Sequence, residues 1–89
     1  MVRRGTVVNN MHYVYILKSQ KDDSRYIGVT ADLKKRLHQH NDGRSAYSNA
    51  RRPYKIIWYA AFASKEKAYV FEKYLKSSSG YAFTKKRLI

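Results

Sequence analysis

No cysteine occurs anywhere in the 89 residues. That absence excludes a disulfide framework and any cysteine-based zinc site, and it suits a reducing cytoplasm. Long hydrophobic runs are missing as well: nothing approaches the roughly 20 apolar residues of a membrane-spanning helix. Met1–Met11 lacks the apolar stretch of a signal peptide. The expectation is a soluble cytoplasmic chain with no membrane partner. Its length allows one small core and leaves too little chain for a second. Acidic residues are the third scarcity. Six Asp and Glu stand against 19 Lys and Arg, a formal charge of +13. A merely well-solvated surface mixes both signs, whereas one so poor in acids attracts polyanions, of which phosphate backbones are the commonest inside cells. Nucleic acid is therefore the leading partner.

What is present divides the chain into short elements. Residues 1–10, MVRRGTVVNN, hold no useful period and end in Asn9-Asn10, so they read as a flexible N-terminal extension to a domain spanning 11–89. His12–Ser19 (HYVYILKS) is dense in aromatic and β-branched residues and predicts a strand. Gln20–Ser24 supplies turn chemistry, and Arg25–Thr30 (RYIGVT) predicts a second strand in an antiparallel hairpin. Asp32 can cap a helix whose buried stripe is Leu33 and Leu37, and Asn41-Asp42-Gly43 ends it. A basic loop, Gly43–Pro53, contains Arg44, Arg51 and Arg52. The apolar density of Tyr54–Phe62 (YKIIWYAAF) predicts a third strand, central or at least well buried. Ser64 starts a second helix through about Lys76. Ser77–Gly80 then breaks it before a short basic helix, Tyr81–Leu88. The fold class is α/β (α+β), a small three-stranded, mainly antiparallel sheet flanked by helices in the order β-β-α-β-α-α.

Candidate chemistry emerges by elimination. Asp22 and Asp23 fall in the hairpin turn, Asp32 at a cap and Asp42 in a helix-ending turn, while Glu66 sits in a first turn where the helix dipole favours it. Glu72 alone has no such local role. On a helical wheel it borders the apolar stripe of Ala68, Phe71 and Leu75, where a lone carboxylate is costly. A pair with Lys76 at i+4, another ion pair or a metal would each satisfy it. Arg36 and His40, also i and i+4, share a face offset from the Leu33 and Leu37 stripe. That face could meet a phosphate, or simply be solvated. Nine tyrosines occur. Tyr13 and Tyr15 share one face of the first strand, and Tyr26 starts the second. Tyrosine fills small sheets while keeping its hydroxyl wet, and it can also move protons when a cation is near. Gly28 marks a bulge or a close approach of backbone or ligand.

Taken together, YVYILKS, RYIGVT, DLKKRLHQHN, the loop ending RRPY and FEKYLKSSSGYAFTKK resemble the small stand-alone proteins of the GIY-YIG nuclease superfamily. The resemblance covers Met11–Ile89. Larger relatives, such as the excision-repair endonuclease that incises damaged DNA and the homing endonucleases, attach a similar module to targeting domains. The second motif is intact as Tyr26-Ile27-Gly28. In the first, Tyr15 matches the motif tyrosine, while Tyr13 replaces the leading glycine.

The resemblance implies a Mg²⁺-dependent endonuclease, with Mn²⁺ as a possible substitute, that hydrolyses phosphodiester bonds of DNA, RNA being a second possibility. One of Tyr15 and Tyr26 would activate water, Arg36 would steady the scissile phosphate, His40 would assist proton transfer and Glu72 would bind the metal. Gly28, Lys35, Arg44, Arg51, Arg52 and Lys76 would contact nucleic acid. Phosphate contacts do not read sequence, so cleavage would be structure-selective or weakly specific, in DNA repair, recombination or processing, or a partner protein would supply targeting. Two departures stand out. Tyr47-Ser48-Asn49 occupies the place of a Ser-Thr-Lys common in relatives, and no asparagine follows Asn49. The alternative is a non-catalytic nucleic-acid-binding module with the same fold.

Overall fold

The computed structural model describes residues 11–42 and 51–88. The N-terminal extension and most of the basic loop, Arg44 included, lie outside the described residues. The elements are β1 (His12–Ser19), β2 (Arg25–Thr30), α1 (Leu33–Asn41), β3 (Tyr54–Phe62), α2 (Lys65–Leu75) and α3 (Ser78–Phe83), followed by a π-helical turn, Thr84–Leu88. No helix among the described residues is long and apolar enough to cross a membrane.

The three strands form one antiparallel sheet in the order β2-β1-β3. Its centre is β1, where Val14, Tyr15, Ile16 and Leu17 are all buried in succession. A strand covered on both faces needs such a continuous run. The apolar density of β3 points to a central place, but β3 is an edge strand, with Lys55, Tyr59 and Ala61 exposed. Part of its apolar content serves a bulge instead. Ile16 faces Trp58 and Leu17 faces Ile56, so Ile57 is an extra residue on β3.

Helices cover both sheet faces. Val14 and Ile16 pack with Ala68 and Leu75 of α2, and Phe71 and Phe83 close that side. Tyr15, Leu17 and Tyr54 pack on the other side with Leu33 and Leu37 of α1. Both longer helices begin on side-chain caps: Asp32 accepts from Lys35 N (3.1 Å) and Ser64 from Lys67 N (3.2 Å). In the hairpin, Asp22 Oδ1 accepts from Ser24 N at 3.0 Å and Ser24 Oγ at 2.7 Å, and Asp23 takes a φ of 63°. The expected break between two helices is present but shorter than Ser77–Gly80, lying at Lys76-Ser77 between Leu75 and Ser78. Ser77 caps α3, accepting from Gly80 N at 3.1 Å, and α3 starts at Ser78. Gly80 is there for packing, since a Cβ would collide with the Tyr74 carbonyl oxygen and stand 2.6 Å from Leu75 Cα.

Candidate active site

Hairpin register sets the first two residues. Tyr15 on β1 faces Gly28 on β2, and Leu17 faces Tyr26, so Tyr15 and Tyr26 lie diagonally on the α1 face of the sheet. Their rings stack at 6.3 Å with 20° between planes. Tyr15 is only 1% exposed and lies across Gly28. A Cβ at Gly28 would stand 2.5 Å from the Tyr15 hydroxyl oxygen and 2.7 Å from its Cζ. The motif glycine is thus the floor under the motif tyrosine.

From α1, Arg36 donates through Nε to the Tyr15 hydroxyl at 3.1 Å. Tyr15 most, and Tyr26 less, hold the guanidinium more firmly charged than usual. Burial pushes the Tyr15 hydroxyl above the ordinary tyrosine range; Arg36 opposes the shift, and the proximity of the Tyr26 hydroxyl and of the Glu72 carboxylate adds to it. Tyr15 is therefore a protonated phenol fixed against a cation.

His40 was expected on a face offset from the Leu33 and Leu37 stripe. It continues that stripe instead, because 33, 37 and 40 follow the i, i+4, i+7 spacing of one helix face. Only 8% exposed, it sits against Tyr26, Tyr54 and Tyr15 with ring centroids at 4.5, 5.5 and 6.5 Å. Burial first, and the nearby Arg36 second, lower its pKa and favour the neutral imidazole. Its Nε2 is buried without a hydrogen-bond partner among the described residues, next to Tyr26.

Two residues that complete this cluster were not singled out from sequence. Tyr54 heads β3, and Asn41 fixes it there: the Asn41 amide accepts from Tyr54 N at 2.6 Å and donates to Tyr54 O at 3.2 Å. Asn41 reads in sequence as a helix stop, while its side chain acts as a strand neighbour. An aromatic residue directly after the single proline is the only sequence signal for Tyr54.

Glu72 lies on α2 with 18% of its side chain exposed and pairs with Lys76 Nζ at 3.0 Å, the i+4 pair open to it from sequence. Its charge also reaches Tyr15. Lys76 and Tyr26 line a common groove with Arg25, Ile27, Leu75 and Tyr81, so the lysine paired with Glu72 and one tyrosine of the cluster meet at one groove. Among the described residues, no three of His, Cys, Asp and Glu come together as a metal-binding group. A cation here would rest on Glu72 and water. That arrangement fits magnesium, which is bound through one or two carboxylates and keeps several waters. The remaining expected residues are more peripheral. Lys35 is exposed on α1. Arg51 pairs with Asp22 at 3.4 Å while its carbonyl accepts from Ser19 Oγ. Arg52 is exposed and donates to Asn41 O at 3.4 Å.

The chain has recognisable relatives. Residues 11–86 match the family model of the GIY-YIG catalytic domain. It is 44% identical over 68 residues to the UPF0213 protein YazA of Bacillus subtilis, covering 75% of this chain and 68% of that protein. To a UPF0213 protein of Streptococcus pneumoniae it is 48% identical over 65 residues, covering 72% and 65%. The matched segment thus spans about two thirds of each relative's length. The solution NMR structure of the UPF0213 protein BH0048 from Bacillus halodurans superimposes with a TM-score of 0.54 at 33% identity, over 88% of this chain and 86% of that one.

Proposed function

The chain belongs to the GIY-YIG catalytic-domain family, and from that premise we propose that it is a divalent-metal-dependent endonuclease acting on DNA. The observation that carries the reading is the convergence of Tyr15, Tyr26, Arg36 and His40, with Arg36 bonded to Tyr15. Packing needs none of these polar atoms in one place. The net charge of +13 supports a polyanionic substrate, and the lack of cysteine supports a cytoplasmic setting. Phosphate contacts position a substrate without reading its sequence, so cleavage is structure-selective or weakly specific, as repair or recombination intermediates require.

Each residue has a task set by its surroundings. Arg36, oriented by Tyr15, offsets negative charge developing on the phosphoryl oxygens. Tyr15 keeps its proton because it is buried, so it positions Arg36. Tyr26, half-buried at the groove, is the tyrosine that meets the attacking water. As Tyr26 oxygen takes the water's proton, its own passes to the neutral imidazole of His40. Glu72 is the residue that would hold the metal, with Lys76 displaced from its carboxylate. When bound, such a cation polarises a phosphoryl oxygen and stabilises the leaving 3′-oxygen.

The test is cleavage of labelled single-stranded, duplex and branched DNA, and of RNA, with Mg²⁺, Mn²⁺ or EDTA. Wild type should cut DNA only with metal, and Tyr26→Phe and Glu72→Gln should each lose about 100-fold or more in rate. Equal product in EDTA, or from both variants, would overturn the proposal. The Glu72–Lys76 pair favours a second reading, a non-catalytic nucleic-acid-binding module, because it satisfies the carboxylate without a metal. Binding with no product from wild type on any substrate would favour that one.

A further inference from the structure

The groove beside Tyr26 has a composition that phosphate binding alone does not require. It is an open groove of about 380 Å³ between Arg25, Tyr26 and Ile27 of β2, Leu75 and Lys76 at the end of α2, and Tyr81 of α3. Ile27 and Leu75 give it an apolar wall, Arg25 and Lys76 are its cations, the latter paired with Glu72, and among the described residues no acid lines it. Tyr81 is 59% exposed, a large ring left in water although Phe83, two residues on, is packed into the core. Lys85 Nζ lies 5.7 Å from the centroid of the Tyr81 ring, adding a third positive charge at the aromatic face.

An exposed aromatic ring among cations, over an apolar wall, matches the way proteins hold unpaired bases: the ring stacks on the base and the cations track its phosphates. Size points the same way. The volume lies near the lower end of the roughly 300–1,000 Å³ of small-ligand sites, enough for a single nucleotide and too little for a duplex. The groove also adjoins the candidate active site at β2, since Tyr26 belongs to both, and its Lys76 pairs with Glu72.

We infer that this groove binds an unpaired nucleobase, stacked on Tyr81 with its flanking phosphates on Arg25, Lys76 and Lys85, next to the phosphate that reaches Tyr26. The inference rests on the endonuclease reading and adds a base site to it. The unpaired base comes from a single strand or from a branch point in duplex DNA, and both sources present the same chemistry.

The experiment uses the full chain in EDTA, where turnover is blocked, and an oligothymidylate carrying one 2-aminopurine. Base fluorescence reports stacking and anisotropy reports affinity. Wild type and Tyr81→Phe should quench the fluorescence. Tyr81→Ala should not, and it should bind the single strand roughly 5-fold or more weakly while binding a blunt duplex as wild type does. A branched duplex with the probe at its junction should be quenched too if branch points also supply the base. Circular dichroism melts confirm that the variants fold. Unaltered single-strand binding by Tyr81→Ala, an equal loss on duplex, or a Tyr81→Phe variant that behaves like Tyr81→Ala would each overturn the inference. Metal-dependent cleavage that persists in Tyr81→Ala with unchanged preference would sink the base site and leave the endonuclease reading standing. A wild type that binds no DNA would sink both.

Discussion

Tyr15 and His40 show how burial sets the chemistry of single residues here. Both lie on the α1 face of the sheet, close to the Arg36 guanidinium, yet their protons are held in opposite ways. Tyr15 keeps its proton because an anion would be desolvated, and His40 stays without its second proton because a cation would be desolvated beside another cation. The histidine shift has a stability consequence whose sign is definite. The folded pKa of His40 lies below the value of about 6.5 expected in the unfolded chain, so the unfolded state takes up the proton first. The neutral histidine's contribution is fully present above about pH 6.5 and is lost as pH falls through the folded value. Asp22, held low by hydrogen bonds from Ser24, adds a loss of the same sign only in the more acidic carboxylate range. Thermal melts from pH 8 to pH 5 should therefore show wild type losing stability below about pH 6.5. His40→Phe should melt with a flatter profile there. A wild-type melting temperature that stays level down to pH 5 would remove the case for a buried neutral imidazole.

The elements place these residues, and they differ in how far the sequence announced them. Strand bounds were legible because β-branched and aromatic runs are closed by clear turn chemistry: His12–Ser19, Arg25–Thr30 and Tyr54–Phe62 all form as read. Helix α1 was legible from Asp32 and the leucine stripe. Sheet order was not, because apolar density cannot distinguish a strand covered on both faces from an edge strand carrying a bulge. The four consecutive buried residues of β1 were the better sign of the centre. The break near Ser77 was legible but read too long, because Ser77 serves as a cap and Gly80 as a close-packing residue under Tyr74, so the last helix starts at Ser78 and not at Tyr81. Within the site, Tyr15, Tyr26, Arg36 and His40 were legible as a joint pattern, but Asn41 was hidden. Its two bonds to the Tyr54 backbone join the end of α1 to the start of β3, a contact between elements that local propensity cannot report. Asn41→Ala leaves the Tyr54 N–H and C=O without those partners and should destabilise the domain by about 1–3 kcal/mol. Asn41→Asp keeps the acceptor and should fall between Ala and wild type. Denaturant melts of the three proteins check this, and an Asn41→Ala midpoint equal to wild type would show that the clamp contributes nothing.

At the scale of the whole molecule, +13 on 89 residues attracts any polyanion, so affinity for DNA alone says little about a binding face. Salt dependence separates a face from a cloud of charge. Each phosphate neutralised by a specific cation releases counterion, which makes log K fall with log salt by about 0.9 per contact on duplex and about 0.7 on a single strand. Lys35 on α1 and Arg52 at the entry to β3 are exposed at the α1 end of the cluster, whereas Lys55 is exposed on the edge strand and pairs in register with Lys18. Replacing any one of the three with Ala removes the same unit of charge. If the phosphate chain crosses the tyrosine cluster, Lys35→Ala and Arg52→Ala should each flatten the salt slope by about 0.7–0.9 and weaken all DNA sequences alike, while Lys55→Ala should leave the slope unchanged. Equal flattening by all three would mean that the chain binds DNA through net charge, with no defined path over Arg36 and Tyr26. Nuclease activity would then need a partner to orient the substrate.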